Sequence, residues 1–289
     1  MSQILGYIGQ SNKRRLSPQM PELPEVETTR RGLVPHVLGQ KVTAVRIYDR
    51  RLRWPVPGDL AKKLVGSVVD SIDRRSKYLL FRTTAGVLIV HLGMTGSLRL
   101  YEHAPPRRPH DHVDIRFGNG RVLRYHDPRR FGAMLWSATH DTHALLARLG
   151  PEPLEAAFTA DYLHGALRRR TGAIKPALMN SDVVVGVGNI YASEALFRAG
   201  IRPTLRANRL AKTRCERLIV AVRETLSAAI ARGGSTLRDY VDSDGRAGYF
   251  QLDYFVYGRA GQPCRVCGTR IRATRQAGRA TTYCPTCQK

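Results

Sequence analysis

Residues 112–125 read HVDIRFGNGRVLRY, and this stretch decides the class of fold that the sequence predicts. Apolar and polar side chains alternate from His112 to Phe117, which is typical of a half-buried β-strand. Asn119-Gly120 favours the tight turn of a β-hairpin, and a second β-rich run follows it from Val122. The stretch therefore predicts two neighbouring antiparallel strands.

The same period of two extends on both sides of this hairpin, through most of the segment from Lys41 to Trp136. The predicted strands are Val42–Tyr48, Val68–Ile72, Tyr78–Arg82, Val87–His91, Leu98–Tyr101, His112–Phe117, Val122–Tyr125 and Ala133–Trp136. Seven or eight short, closely spaced strands predict an antiparallel sandwich or barrel.

Helical patterns flank this β-rich segment. Pro24 suits the first helical position, and Glu25 and Glu27 suit the positive end of a helix dipole. After residues 150–153 the apolar period returns to 3.6. Further predicted helices are Asp161–Arg170, Ile190–Ala199 and Arg214–Arg232, the last opened by a capping box of Thr213 and Glu216.

Four of the five cysteines form two CxxC pairs in the last 26 residues, separated by sixteen residues. Two such knuckles can close a tetrahedral Zn²⁺ shell, and four thiolates leave no position open for catalysis. Disulfides or a redox pair are the alternatives. The predicted ligands are Cys264, Cys267, Cys284 and Cys287. Between them lie Arg270, Arg272, Arg275 and Arg279, either a phosphate-contacting finger or a solvated loop. Cys215 is predicted to be a buried, inert thiol.

The charge of the chain points to a partner. The 289 residues carry 47 basic and 23 acidic side chains, a net charge of +24, which favours nucleic acid. Hydrophobic residues make up 43% and charged residues 24%, which excludes a mainly disordered chain. The charge-free run Thr83–Leu98 is too short to span a bilayer.

These patterns predict an α+β protein with an N-terminal helix, an antiparallel β-sandwich, a helical domain and a C-terminal zinc hairpin built on the four cysteines. Residues 1–19 do not read as a secretory signal, because the basic cluster follows the apolar stretch. They are interpreted as a disordered extension or an upstream mis-start. The predicted domains are 20–150, 151–254 and 255–289.

A family resemblance rests on several separate motifs in order. They are MPELPEVET (20–28), RRSKYLL (74–80), HLGMTGS (91–97), HDHVD (110–114), DPRRFG (127–132), VVGVGNIYASE (184–194), SDG (243–245) and the cysteine tail. Together they closely resemble bacterial formamidopyrimidine-DNA glycosylases over essentially all of residues 20–289. The resemblance implies a β-sandwich, a helix–two-turn–helix domain and a zinc finger, and removal of oxidised purines such as 8-oxoguanine from duplex DNA.

The resemblance also assigns catalytic roles. Pro21, freed by removal of the initiator Met, would be the amine nucleophile, and Glu22 the general acid at the sugar ring oxygen. Lys77 matches the lysine that assists β-elimination, and Arg279 the finger arginine of δ-elimination. A general acid of this kind is expected to have a raised pKa.

The N-terminus departs from the family pattern. With residues 1–19 attached, the nitrogen of Pro21 is a tertiary amide and cannot act as a nucleophile. We therefore expect the active form to begin at Met20, which is then removed.

DNA-contacting residues follow from the same motifs. Met94, Arg129 and Phe131 match the trio that fills the gap left by the flipped nucleotide. Alternatively, Met94 and Phe131 pack into the core. Further matching positions are His110, Arg170, Lys175 and Asn189. Asn189 is also predicted to be a helix N-cap, and Arg168–Arg170 is alternatively a solvated charge cluster.

Two other functions stay open at this point. An endonuclease VIII-like enzyme would prefer oxidised pyrimidines, although Leu23 and the Met94, Arg129 and Phe131 set favour the purine branch. A non-enzymatic zinc-ribbon protein that binds DNA or RNA would explain the charge and the cysteines, but not the Pro21-Glu22 pair. We expect a cytoplasmic bacterial monomer, with a lesion-capping loop near Arg238–Phe250.

Overall fold

The structure is a computed structural model, and it describes residues 21–139, 143–233 and 254–289. The predicted N-terminal extension and the predicted loop near Arg238–Phe250 lie outside these residues. Across the three described ranges, no helix combines the length and the apolar character that crossing a bilayer requires.

Two four-stranded antiparallel sheets form the N-terminal part. Their strands are β1 (Val42–Ile47), β2 (Val69–Arg75), β3 (Tyr78–Thr83), β4 (Gly86–His91), β5 (Ser97–Tyr101), β6 (Asp111–Phe117), β7 (Val122–His126) and β8 (Ala133–Ser137). One sheet has the order β1-β6-β7-β5 and the other β2-β3-β4-β8. All eight predicted strands are confirmed, with ends that differ by a few residues.

The two sheets pack face to face around one apolar core. Phe81 and Leu88 enter it from one sheet, and Ile115 and Leu123 from the other. The β6–β7 hairpin closes as its sequence predicts, and Gly120 adopts a positive φ of 83° in the turn. The strands therefore form a sandwich and not a closed barrel.

Helices flank the sandwich. They are α1 (Leu23–Val37), α2 (Leu60–Leu64), α3 (Ala144–Ala147), α4 (Ala160–Leu167), α5 (Ile174–Leu178), α6 (Asn189–Arg198) and α7 (Lys212–Ala231). Helices α1 and α4 to α7 build a second core, whereas α2 packs in the sandwich core and α3 has no buried residue. Helix α1 joins the two parts, because Leu23 packs in the helical core while Val26 and Leu33 pack in the sandwich core. The N-terminus of α1 consequently lies at the junction of the two layers.

The predicted capping box at the start of α7 is wrong. The helix begins two residues earlier, with Ala211 as its N-cap, and Thr213 lies inside the first turn. The carbonyl of Ala211 accepts the N–H groups of Arg214 and Cys215, and the buried side chain of Cys215 fixes this turn against the core. Cys215 is buried, as its sequence context predicts.

The C-terminal segment forms a short β-hairpin, which we call the finger hairpin, of β9 (Arg272–Gln276) and β10 (Arg279–Tyr283). Its apolar support is small and includes Val256, Ile271 and Phe197 of α6. The finger hairpin thus lies against the helical layer, with the four cysteines at its base.

Candidate active site

The buried carboxylate of Glu22 lies at the centre of the site. It is only 1% exposed and caps the N-terminus of α6. Its oxygens accept the backbone N–H groups of Gly188 at 2.7 Å, Ile190 at 2.9 Å and Tyr191 at 3.4 Å. A helix N-terminus is a natural place for a carboxylate, because its first N–H groups have no partners within the helix.

Two glycines leave room for this contact. A Cβ atom at Gly188 would lie 2.2 Å from Cδ of Glu22, and one at Gly186 would lie 2.6 Å from Cδ1 of Leu23. Gly186 also adopts a positive φ of 77°. The motif of residues 184–189 is therefore shaped to receive the N-terminus of α1.

Burial raises the pKa of Glu22 to about 7. The positive charge of Lys77 and the N–H groups of α6 oppose this shift, and the charge of Glu25 adds to it. Desolvation is the largest of these effects, since a carboxylate loses its hydration at this depth. Glu22 can therefore hold a proton near neutral pH, as a general acid must.

Lys77 and Arg279 add positive charge around Glu22. Lys77 lies in the turn between β2 and β3, where burial and the charge of Arg279 lower its pKa, while Glu22 and Glu25 partly offset this. Arg279 is the exposed first residue of β10. The structure thus brings Glu22, Lys77 and Arg279 together from three parts of the chain.

Lys175 has a different setting from the one expected of a DNA contact. It is 1% exposed, and its ammonium donates to Oδ1 of Asn189 at 2.7 Å, Oγ1 of Thr281 at 2.9 Å and the carbonyl of Ala280 at 3.3 Å. Burial lowers its pKa to about 8. Lys175 therefore ties α5, the start of α6 and the finger hairpin together.

Asn189 is the first residue of α6, and Gly188 is the N-cap, so the prediction that Asn189 is the N-cap is wrong. The physical reason is that the Glu22 carboxylate takes the capping role from outside the helix. The amide of Asn189 is left to face Lys175, and it also hydrogen-bonds to Tyr257.

Met94, Arg129 and Phe131 lie on two adjacent turns joined by a buried carboxylate. Asp127 accepts the hydroxyl of Thr95 at 2.6 Å and the N–H of Gly132 at 2.8 Å. The Phe131 side chain is exposed, and the Arg129 guanidinium lies 4.8 Å from its ring centre. Met94 is half-buried. An exposed aromatic ring under a cation is unlike core packing and suits a surface that meets a ligand.

The remaining predicted contacts lie further out. His110 is exposed and has a positive φ of 71°, and its carbonyl accepts the N–H of Asp127. This links the His110 turn to the turns described above. Arg170 follows α4 and is half-buried, and its backbone bonds to Leu167 and Asn208.

Two residues near the cluster escaped the sequence analysis. His91 ends β4, and burial together with the charges of Lys77 and Arg53 lowers its pKa to about 4. Its Nδ1 accepts the N–H of Gly93, which helps to shape the Met94 turn. Tyr257 faces Asn189 and Glu22. His91 lies inside a family motif, but only the fold shows that it borders Lys77 and that Tyr257 borders Glu22.

The four cysteines of the tail form one compact donor set. Their Sγ atoms all lie within 4.8 Å of one another, with Cys264 and Cys287 at 3.9 Å and Cys267 and Cys284 at 3.5 Å. A tetrahedron with metal–sulfur bonds of about 2.3 Å has edges of about 3.8 Å. A disulfide requires about 2.05 Å. The set therefore fits a structural metal and not two disulfides.

Comparisons with known proteins agree with this geometry. Three family models match in order: the formamidopyrimidine-DNA glycosylase N-terminal domain over residues 20–134, its H2TH domain over 149–241, and a zinc finger found in FPG and IleRS over 261–289. Two relatives are the formamidopyrimidine-DNA glycosylases of Pseudomonas entomophila and Thioalkalivibrio sulfidiphilus. They are 54% and 56% identical over 270 and 271 residues, which cover 93% of this chain and 100% of each relative.

Solved structures give the same result. The MutM (FPG) protein of Thermus thermophilus is 43% identical with a TM-score of 0.81, covering 93% of this chain and 98% of that one. A MutM complex with DNA containing carbocyclic 8-oxo-G is 38% identical with a TM-score of 0.84, covering 93% and 100%. Fold and site together define a DNA glycosylase of base-excision repair that carries a zinc-finger domain. The chain belongs to the formamidopyrimidine-DNA glycosylase family.

Proposed function

We propose that this protein is a bifunctional enzyme that removes oxidised purines from duplex DNA and then cleaves the abasic strand by β,δ-elimination. The observation that carries the proposal is the buried Glu22, with a pKa raised to about 7, directly after Pro21 and within the field of Lys77. A proton donor beside a potential amine nucleophile suits attack at a glycosidic carbon.

The chemistry uses the free prolyl nitrogen. An α-amino group has a pKa of about 7.7–8.0, so a useful fraction is unprotonated at neutral pH. The amine attacks C1′ of the sugar, the bond from C1′ to the damaged base breaks, and the base leaves with the proton that the amine gives up. Glu22 donates its own proton to the ring oxygen as the ring opens. The resulting iminium has no N–H to lose, so it stays cationic and accepts electrons during elimination of the 3′ phosphate. Lys77 assists that step, and Arg279 the following δ-elimination.

The active form is proposed to begin at Met20 and to lose that residue. In the longer chain the nitrogen of Pro21 is an amide. The family match that begins at residue 20, and the 270 aligned residues that cover a whole relative, support this proposal. The domain division into 20–150, 151–254 and 255–289 is proposed on the same grounds.

DNA binding is proposed to use the Met94, Arg129 and Phe131 surface as the wedge. Met94 and Phe131 would fill the gap, and Arg129 would bond the base opposite the lesion. His110, Arg170 and Asn189 are proposed to contact the strand. Lys175 and Arg279 line one cavity of about 200 Å³ beside the finger hairpin, where a phosphate of the strand would lie in the positive field of the two side chains.

The metal is proposed to be a single Zn²⁺ held by Cys264, Cys267, Cys284 and Cys287. Four thiolates suit zinc, which would join the two knuckles and supply the folding energy that the small apolar core lacks. The ion would thereby hold the finger hairpin and Arg279 at the site. We also propose that the enzyme works as a monomer in the bacterial cytoplasm, since one damaged base needs one site.

Strand cleavage on matched duplexes tests the proposal. Chains that begin at Met20 are given duplexes with 8-oxoguanine opposite cytosine, or with thymine glycol. Faster cleavage of the 8-oxoguanine duplex supports the purine specificity, and the reverse preference supports an endonuclease VIII-like enzyme. Salt-sensitive binding with no cleavage of either supports a non-catalytic DNA-binding protein.

A further inference from the structure

The turn that carries Lys77 is held by a buried carboxylate from a distant segment. Glu152 is 4% exposed and accepts the backbone N–H of Ser76 at 2.7 Å, Nη1 of Arg74 at 2.7 Å and Nη1 of Arg75 at 3.0 Å. Ser76 adopts a positive φ of 57°, which residues other than glycine rarely adopt. The turn thus has a conformation that its surroundings must support.

The same contacts lead to helix α1. Nε of Arg74 lies 3.4 Å from Oε2 of Glu27, which is 8% exposed on α1. Glu27, Arg74 and Glu152 therefore form a chain of charges from α1 to the turn of Lys77, with both carboxylates buried and Arg74 partly buried between them. Since Glu22 lies at the start of α1, this chain joins the elements that carry Glu22 and Lys77.

The segment around Glu152 also contacts the loop that surrounds Glu22. The N–H of Gly150 donates to the carbonyl of Ser181 at 2.8 Å, and the N–H of Val185 donates to the carbonyl of Pro151 at 3.2 Å. This loop continues to Gly188, whose N–H binds Glu22. Glu152 consequently lies where the turn of Lys77 meets the loop that surrounds Glu22.

We propose that Glu152 is a positioning residue that sets the place of the Lys77 ammonium relative to the Glu22 carboxyl. The inference rests on the proposed function, because it concerns the same proton donor. Glu152 itself touches neither group. It acts through the backbone of Ser76 and through two arginines. Substituting Glu152 therefore releases the turn that carries Lys77, while Glu22 and Lys77 themselves are unchanged.

The pH profile of base release separates this role from a general structural one. Lys77 lowers the pKa of Glu22, so a displaced lysine raises it, and Glu22 stays protonated to higher pH. In single-turnover assays with chains that begin at Met20, Glu152→Gln should move the limb that Glu22 sets, which lies near pH 7 and below the limb of the amine, upward by about half a pH unit. Lys77→Met should move it in the same direction. Glu155→Gln changes an exposed glutamate three residues away and should leave the profile unchanged.

A double variant completes the test. If Glu152 acts through Lys77, the effects of the two substitutions are coupled. The rate of base release by the double variant with Glu152→Gln and Lys77→Met then equals the rate of Lys77→Met alone within about twofold. The inference is overturned if the losses of rate from the two substitutions multiply in the double variant. It is also overturned if Glu152→Gln leaves the limb of the pH profile that Glu22 sets unchanged. If Glu152→Gln does not fold, Arg75→Ala takes its place, since Arg75 is partly exposed and also binds Glu152. For Arg75→Ala we expect a smaller upward shift of the same limb of the pH profile. The absence of any shift overturns the inference. A wild-type chain that releases no base overturns the proposed function, and this inference with it.

Discussion

Substituting Gly188 by Ala should displace the Glu22 carboxylate while leaving Glu22 itself in the sequence. Gly188 has a φ of −116°, which any residue can adopt, so the effect of a methyl group is steric. The new Cβ would lie 2.2 Å from Cδ and 2.5 Å from Oε1 of Glu22. Both distances are far below van der Waals contact, and the carboxylate must leave the N-terminus of α6.

The magnitude follows from the contacts that are lost. Displacing Glu22 leaves the N–H groups of Gly188 and Ile190 without their acceptor, which costs about 1.5–3 kcal/mol. Replacing glycine by alanine restricts the unfolded chain and returns about 0.4–1 kcal/mol. The free energy of unfolding should therefore fall by about 0.5–2.5 kcal/mol. Loss of a positioned general acid should slow base release by about 100- to 10,000-fold.

Denaturant unfolding and single-turnover release of 8-oxoguanine measure the two effects. Gly165→Ala is the matched control, because a Cβ at Gly165 in α4 meets no atom within 4 Å. This control should gain about 0.5–1 kcal/mol of stability from helix propensity and keep its activity. A Gly188→Ala variant with wild-type base release would refute the claim that the Glu22 carboxyl must lie at the start of α6.

Three further predictions concern pH, the finger hairpin and the metal. Base release should be bell-shaped in pH, since the amine must be unprotonated while Glu22 is protonated. Because the pKa of the amine, about 8, lies above that of Glu22, about 7, the rate should rise up to about pH 7 and fall above about pH 8. A rate that rises steadily to about pH 9 argues against Glu22 as the acid. Arg279→Ala should leave the β-elimination product to accumulate on denaturing gels while base release falls less than tenfold, and a δ-product in normal yield argues against the role of Arg279. Chelation should remove one Zn²⁺ per chain, as measured by elemental analysis, and should weaken DNA binding by at least tenfold. Unchanged DNA binding after complete loss of the metal contradicts the structural role of the four cysteines.

Stability should also depend on pH through Glu22. Its folded pKa lies above the ordinary value of 4.5, so the folded state binds the proton more tightly than the unfolded state. This contribution to stability is fully present below about pH 4.5 and is lost as the pH rises to about 7. The carboxylates elsewhere in the chain whose pKa values are lowered by pairing with arginine, such as Glu27, have the opposite effect, because they stabilise the folded state at higher pH.

The local patterns of the sequence predict the fold well and the site only in part. Alternation locates most of the eight strands because one face of each packs in the sandwich core, whereas β4 is buried on both faces and is located by its continuous run of β-branched and apolar residues. The start of α7 is mispredicted, because packing of Cys215 outweighs the local capping signal of Thr213. The local pattern around residues 184–189 predicts Asn189 as the N-cap of α6, since the carboxylate that takes the capping role, Glu22, is more than 160 residues away in the chain.

Burial of charged side chains is the feature that sequence reasoning misses. Lys175 and Glu152 look like surface residues in their own segments. Their partners, Asn189 and Thr281 for the lysine and Ser76 for the glutamate, come from distant elements. Only the assembled fold shows that these charges have partners inside the protein.

The central claim is that the nitrogen of Pro21 is the nucleophile, and borohydride trapping tests it most directly. An 8-oxoguanine:cytosine duplex is incubated with chains that begin at Met20 and, in parallel, with the full 289-residue chain. Mass spectrometry then locates the adduct. We predict a covalent adduct on Pro21 in the shorter chain alone. An adduct on a lysine, an equal adduct in the full-length chain, or binding without any adduct would contradict the account.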